Sequence, residues 1–403
     1  MLGYLIERRQ NDAMRIPKTI FFAIFVLTAS VGVVFGLIAS LQDELGFENG
    51  VLGVIAAVAF FSAVLAQLFL APLADRGFTK VLMITAVSVA ALGCLWFALA
   101  SSALELIFAR TLTGLGIGAF APAARAVVAN ADKNRSGERL GQLAAVETSG
   151  FVAGPVIGAI INEIWGLKAP FLVFSFVLLC LLPGLMKIQL SKAGNAVRGT
   201  SKVNSAGLIL RRKEAVGAIL LGAALFFPAG MYEAIWARFM EDLGASTLFV
   251  GVSLTMYGVP FAIVASMAGK FIDRSGAWFA ATFAVAIIVP MTVIYGFLVS
   301  PFLLMGLAMV EALGQGIGAP ACQAAMVECT HEGERATGQG LVAAASSIGA
   351  GIAALIAAPL YAGPGPEITF VIVAGVVLIL SLIATKLSGF KFQKLSKEVL
   401  PHG

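Results

Sequence analysis

Ala71-Pro72-Leu73-Ala74-Asp75-Arg76-Gly77-Phe78-Thr79-Lys80 returns, roughly 200 residues later, as Gly269-Lys270-Phe271-Ile272-Asp273-Arg274-Ser275-Gly276. Each copy lies between two long apolar runs, so each must reverse the chain within a few residues. Other segments repeat with them. Gly114-Leu115-Gly116-Ile117-Gly118-Ala119 returns as Gly314-Gln315-Gly316-Ile317-Gly318-Ala319, and Gly137-Glu138-Arg139 returns as Gly333-Glu334-Arg335. Gly141 and Gly150 return as Gly340 and Gly349. Four matches in one order, at nearly one offset, mark an internal duplication whose halves run parallel.

The runs flanking these turns define the environment. Of 403 residues, 59% are apolar and 12% charged, with a mean hydropathy of +0.96. A soluble domain carries roughly 25% charge, and a water-soluble fold cannot hide this much apolar surface. Crossing a bilayer takes about 20 apolar residues in a helix. Twelve such runs can be drawn, at 19–41, 51–70, 80–100, 104–128, 139–162 and 167–187, then 214–237, 247–269, 277–299, 302–327, 337–361 and 367–388. They are rich in Gly, Ala, Pro and Phe and lack period-2 alternation, which argues against a β-barrel.

Lys and Arg concentrate before the first span, in loops 2–3, 4–5, 8–9 and 10–11, in the central loop and in the tail. Only Lys168 and Arg238 fall on the other side, with Arg110 and Arg125 inside the fourth span. Short cytoplasmic loops retain basic residues, so both termini are expected in the cytoplasm. The net charge of +5 then reflects topology and attraction to anionic lipid. No loop has the size or aromatic interleaving that nucleic acid requires. Cys94, Cys180, Cys322 and Cys329 lack Cys-x-x-Cys spacing and suggest neither a disulfide framework nor a zinc site.

The longest polar stretch between spans, about Gln189 to Lys213, shows no helical apolar periodicity and divides the chain nearly in half. The expected architecture is an all-α membrane protein of 12 transmembrane helices in two pseudo-symmetric six-helix bundles. Residues 1–188 form the first bundle, 189–213 a cytoplasmic linker, and 214–403 the second bundle with a basic tail.

Over essentially its whole length the chain resembles the major facilitator superfamily. That family carries Gly-x-Leu-Ala-Asp-Arg-x-Gly-Arg-Arg between its second and third helices. The first copy here keeps the Asp-Arg core and a closing Lys80 but departs at Ala71, Phe78 and Thr79; the second keeps Gly269 and Gly276 and is the better match. The resemblance implies a pair of cytoplasmic latches. Asp75-Arg76 would face the start of the eleventh helix near Arg335, and Asp273-Arg274 the start of the fifth near Arg139, each carboxylate meeting a positive helix N-terminus. An ordinary solvated turn is the alternative. Arg110-Thr111-Leu112-Thr113-Gly114-Leu115-Gly116 resembles the family's Arg-x-x-x-Gly-x-Gly signature. Gly150-Phe151-Val152-Ala153-Gly154-Pro155-Val156-Ile157-Gly158-Ala159 resembles the helix-5 signature of the drug:proton antiporter branches, with Ala159 replacing its last glycine. Gly150, Gly154 and Gly158 form one smooth helix stripe, and Pro155 favours a bend, which suits a helix at a moving interface between bundles. Plain small-residue packing explains the glycines but not the Gly-Pro placement.

A charge in mid-span costs about 2.5–3.5 kcal/mol on insertion scales, so Arg110 is expected to face a cavity or a partner. The repeat pairs Glu311 with Thr111, beside Arg110; an Arg110–Glu311 pair across the cavity is one hypothesis, two separately solvated charges the other. Glu147 and Glu311 are both candidates for a buried, proton-carrying carboxylate. Desolvation favours the protonated acid and a nearby arginine the ionised one, so alternating surroundings would load and release a proton. A carboxylate merely hydrogen-bonded within its bundle is the plain alternative for each. Tyr232, Glu233 and Trp236 read either as a wall for an amphipathic or cationic solute or as part of the interfacial aromatic belt. Gln315 and Tyr257 are weaker pocket candidates.

No span holds a histidine and no motif supplies a nucleophile with its base, a metal cluster or a P-loop. Neither an enzyme nor a cofactor is expected, and the energy source would be a proton gradient. The implied activity is alternating-access efflux of an amphipathic small molecule against protons, by a monomer in a bacterial plasma membrane. An importer or facilitator of a small metabolite is the rival within transport, because the first span has no acidic residue between Lys18 and Leu41. A non-transporting receptor on the same fold is the rival outside it. If the turns are latches, Asp75→Asn and Asp273→Asn slow transport without lowering the amount of protein in the membrane, measured as flux against immunoblot; unchanged rates remove the latches.

Overall fold

No water reaches the hydrocarbon core of a bilayer, so a chain crossing it must satisfy its own backbone, and a helix does so within one segment. The computed structural model describes residues 18–70, 73–131, 136–188, 202–331 and 334–389. Twelve helices among them are long and apolar enough to cross a membrane. In the first half these are α1 (Lys18–Leu45), α2 (Asn49–Phe69), α3 (Thr79–Leu99), α4 (Ala103–Ala131), α5 (Ser136–Trp165) and α6 (Ala169–Lys187). In the second they are α7 (Lys213–Asp242), α8 (Thr247–Ser275), α9 (Ala277–Tyr295), α10 (Pro301–Glu328), α11 (Arg335–Ala362) and α12 (Pro366–Ser388). Large apolar side chains such as Phe69, Leu104, Phe176 and Phe302 are exposed, as a lipid-facing surface requires. The architecture is the expected one, all-α with two six-helix bundles.

By contact the chain divides into two compact units, Met1–Arg198 with Ala237–Gly258, and Gly199–Trp236 with Val259–Gly403. Helices α7 and α8 therefore change unit part-way along. In the first unit α1 packs on α5, α4 lies against both α2 and α3, and α3 meets α6. In the second, α9 contacts α10 and α12.

The two Asp-Arg turns are built differently. The first is a π-helical segment, Ala74–Phe78, in which Gly77 takes φ 91° and the Thr79 hydroxyl donates to the Ala74 carbonyl at 2.9 Å. In the second, α8 runs through Asp273 and Arg274 to Ser275, and Gly276 at φ 85° makes the reversal. Both conformations favour glycine. The side chains of Asp75 and Arg76 lie outside the described residues.

Every helix from α4 to α11 carries an internal proline, which removes one backbone donor each time. In α5, Pro155 deprives the Phe151 carbonyl of its amide partner. Gly32 of α1 lies against that oxygen, where a Cβ would come within 2.5 Å, so a weak Cα–H donor faces the orphaned acceptor. Gly36 abuts Pro155 itself, and Gly150 and Gly154 reciprocate by closing on the α1 backbone at Phe25 and Ala29. In the second unit glycines again admit a neighbouring helix closely, Gly230 of α7 against the Ala350 backbone and Gly349 of α11 against Ala223.

The Gly150-Gly154-Gly158 stripe thus has a packing role inside its own unit. The stripe is filled by α1 of its own unit, because it is the side on which the α1 carbonyls approach. A neighbouring face of α5 meets the first half of α8: Gly251 and Gly258 approach Pro155 and Val152, and the Thr255 hydroxyl donates to the Val152 carbonyl at 2.8 Å.

The linker stretch, which shows no helical apolar periodicity, contains a short helix among its described residues, Lys202–Ile209. Among its described side chains Ile209 is the buried one, in a core with Ala215, Trp278, Ala325 and Ala384.

Close packing on α1 gives a stability test. Gly154→Ala places a methyl group on the Ala29 backbone and is expected to cost about 1–3 kcal/mol. Gly141→Ala, with nothing within 4 Å, is expected to be neutral or to stabilise by up to about 1 kcal/mol. Unfolding midpoints of the purified variants check both; equal midpoints would show that α1 and α5 yield.

Candidate functional site

Glu311 lies in the middle of α10 and is 0% exposed. Its Oε2 accepts hydrogen bonds from the Tyr232 hydroxyl of α7 at 3.0 Å and the Tyr295 hydroxyl of α9 at 3.1 Å. Its Oε1 is buried with no hydrogen bond. Tyr232 also shares a bond with Thr292 at 3.3 Å. Tyr232 and Trp236, one turn apart on α7, present the same face. Ring centroids are 5.4 Å apart for Tyr232 and Trp236, 5.7 Å for Trp236 and Tyr295, and 6.1 Å for Tyr295 and Phe370 of α12. One turn beyond Glu311, the Gln315 amide donates to the Leu225 carbonyl at 2.9 Å.

Four helices of the second unit thus enclose one carboxylate in aromatic rings. Among the described residues of this unit no cation pairs with it. An ionised carboxylate in such surroundings costs several kcal/mol unless its charge is shared. The burial of Tyr232 (7% exposed) and Trp236 (4%) removes the belt reading, since a belt residue faces the headgroups. Glu233 is buried too, whereas Tyr257, in the first unit, is half-buried. The tenth-span glycines gave no hint of Tyr295 or Thr292; both lie inside an apolar run, 277–299, that reads as uniform.

In the first unit Arg110 is 1% exposed, in α4 and within electrostatic reach of Cys94 on α3. The glycines that follow it serve packing. A Cβ on Gly116 would meet the Ala86 carbonyl at 2.8 Å, and Gly114 and Gly118 abut Ala59 and Ala63 of α2. Arg110 and Glu311 belong to different units.

Glu147 differs from the expected buried carboxylate. It is partly exposed and accepts two bonds from Arg125 of α4, at 3.0 and 2.8 Å. The packing of α4 beside α5 brings them together. Arg125 is a residue the sequence reading left without a role, because a separation of 22 positions has no helical signature.

A second charged group, at the end away from the linker, also escaped notice. Arg238 donates to Asp43 at 2.6 Å and to Asp242 at 2.6 and 2.8 Å. Glu241 receives Ser40 at 3.3 Å and Thr247 at 3.4 Å, and Lys168 pairs with Glu44 at 3.9 Å. Both basic residues left over by the topology count are therefore neutralised. Of the turn residues, Asp273, Arg274 and Arg335 are exposed in the second unit, and Arg139 is half-buried in the first.

The Major Facilitator Superfamily model matches residues 20–301 and 217–391, and the chain belongs to that family. It is a membrane transporter of the secondary class, with no enzymatic role. It is 24% identical over 336 residues to the multidrug resistance protein MdtG of Escherichia fergusonii, covering 79% of this chain and 81% of that one. To MdtG of Proteus mirabilis it is 24% identical over 283 residues, 67% and 70% of the two chains. Among solved structures it resembles a bacterial homolog of the human lysosomal transporter Spinster in an inward-facing, occupied conformation. That match has a TM-score of 0.79 at 13% identity, over 96% of this chain and 98% of that one. The nucleoside transporter NupG matches with a TM-score of 0.75 at 12% identity, over 94% and 100%. These structures establish the fold alone.

The hydroxyls on Glu311 are expected to carry weight in stability. Tyr232→Phe and Tyr295→Phe should each destabilise by about 1–3 kcal/mol, with non-additive costs in the double variant because both serve one oxygen. Unfolding midpoints measure this; two neutral, additive variants would show that the oxygen does not depend on them.

Proposed function

We propose that this transporter exports an amphipathic small molecule in exchange for protons, and that Glu311 carries the proton. The observation that carries the reading is a carboxylate at zero exposure whose Oε2 accepts two tyrosine hydroxyls. Protonated, the acid fits its apolar surroundings; ionised, it needs water or a cation. A cycle that alternately seals and wets this part of α10 would load and discharge one proton. Tyr232, Glu233, Trp236 and Gln315 form the second unit's solute wall in this proposal, and Tyr257 is the pocket candidate of the first unit. Arg110 contributes the fixed positive charge of the first unit. Glu147 ranks second as proton carrier because Arg125 already neutralises it.

The names of the MdtG relatives, multidrug resistance proteins, support export and a bacterial plasma membrane. The latches assigned to Asp75-Arg76 with Arg335 and Asp273-Arg274 with Arg139 complete the proposal on the cytoplasmic side. Both termini lie there, and the unit of function is a monomer. Import of a small metabolite is the second reading, favoured by one observation: α1 has no acidic residue before Asp43.

Inside-out vesicles and a panel of fluorescent amphipathic cations separate the two. Export predicts accumulation when the lumen is acidified, abolished by an uncoupler and by Glu311→Gln and largely retained in Glu147→Gln. Gradient-driven accumulation that survives Glu311→Gln, or that appears only in right-side-out vesicles, would overturn the proposal.

A further inference from the structure

The end of the second unit that carries the central linker is organised by one side chain outside the transport site. Arg212 lies between two helices: its own N–H donates to the Ile209 carbonyl at 3.0 Å, closing the linker helix, and its carbonyl accepts the Val216 N–H at 3.1 Å, opening α7. Its guanidinium reaches across to the turn between α10 and α11. Nη1 donates to Glu334 Oε2 at 2.6 Å and Nη2 to Oε1 at 3.0 Å, a two-pronged pair. Nη1 also donates at 3.2 Å to the carbonyl of Cys329, the residue that caps the C-terminus of α10. Glu334 is in turn the N-cap residue of α11, and its Oε2 accepts the His331 N–H at 3.2 Å. One guanidinium therefore bonds the end of α10 and the start of α11 from the junction of the linker helix with α7.

An exposed ion pair contributes little, about 0–1 kcal/mol. This one differs in three respects. The side chains are only 30% and 15% exposed, the pair is bidentate, and a third bond satisfies a carbonyl that every helix leaves orphaned at its end. Ile209, fully buried two residues before Arg211, anchors the same segment from the apolar side.

We propose that Arg212 is a positioning residue of the transport cycle, which makes the linker helix, the first turn of α7 and the α10–α11 turn a single body and so fixes the start of α11 at Arg335. The linker helix then moves with the second unit.

Acid dependence follows from the same contacts. The Arg212 guanidinium beside Glu334 holds its carboxyl below the ordinary 4.5. A depressed carboxyl contributes fully above its ordinary value and loses that contribution as pH falls through its folded value, so the clamp is intact at neutral pH and opens only as pH falls through that depressed value. The charged and titratable groups around it are His331 and Arg335 on the turn and α11, Cys329 and Glu328 at the end of α10, and Glu214 and Arg211 around the start of α7.

Amide hydrogen exchange on the full-length protein in nanodiscs tests this without a substrate. Arg212→Ala is expected to speed exchange roughly tenfold or more both in the linker helix and at Thr330 and His331, leaving α12 unchanged. The charge-swapped double variant, Arg212→Glu with Glu334→Arg, restores protection at both places, and Arg212→Lys restores part of it. Wild type shows the same loosening below Glu334's depressed value, after correction for intrinsic rates, and Glu334→Gln is loose at every pH. Loosening confined to the first turn of α7, or a swapped variant as loose as either single one, would overturn the proposal. Neither result bears on Glu311.

Discussion

A polar group inside a bilayer must find its partner within the protein, and the structure of this transporter follows from where those partners come from. Backbone groups are satisfied within helices. At Pro155, where proline breaks that rule, Gly32 on the neighbouring helix lets another backbone come close enough to face the vacated carbonyl. Side chains obey the same rule at higher cost. Glu147 takes Arg125, and at the helix ends Arg238 takes Asp43 and Asp242 and Arg212 takes Glu334. Glu311 is the carboxylate whose own unit supplies hydroxyls and aromatic faces in place of a cation, which makes it the group whose charge has to change if the site is to be comfortable both dry and wet.

The helices deliver these groups by simple periodicity. Tyr232 and Trp236 face the same way because they are one turn apart, and Glu311 and Gln315 repeat that spacing on α10. Phe370 closes the cluster from α12, so residues scattered over some 140 positions meet around one oxygen pair. The first unit puts its buried charge, Arg110, on the repeat-related helix α4, again with glycines that pull the flanking helices in. The duplication thus preserved a scaffold while the chemistry in each half diverged, an arginine in one and a glutamate with tyrosines in the other.

Most of the fold was legible in the sequence because crossing a membrane leaves a length signal that needs no tertiary information. The first span, read as 19–41, is Lys18–Leu45, and the fifth, read as 139–162, is Ser136–Trp165. The helical ends extend beyond the apolar runs because they include polar turns such as Gln42 to Glu44. Glu311, Tyr232, Trp236 and Gln315 were legible individually, as polar or aromatic residues that an apolar span would not otherwise carry. Their assembly was not. Tyr295 lies inside an apolar run that reads as uniform, Arg125 pairs over a separation without helical period, and the linker helix shows no apolar periodicity. The glycine stripe of α5 was visible, but a stripe records only that something comes close; that the something is α1 is a property of the packed unit.

The central claim is that Glu311 holds a proton while it is enclosed. Infrared spectroscopy of the purified protein at neutral pH measures this directly through the carbonyl stretch of a protonated carboxylic acid. The account predicts such a band in wild type, shifted by hydrogen-bond loss in Tyr232→Phe and absent in Glu311→Gln. A wild-type spectrum without it, with Glu311 contributing only to the carboxylate bands, would contradict the account.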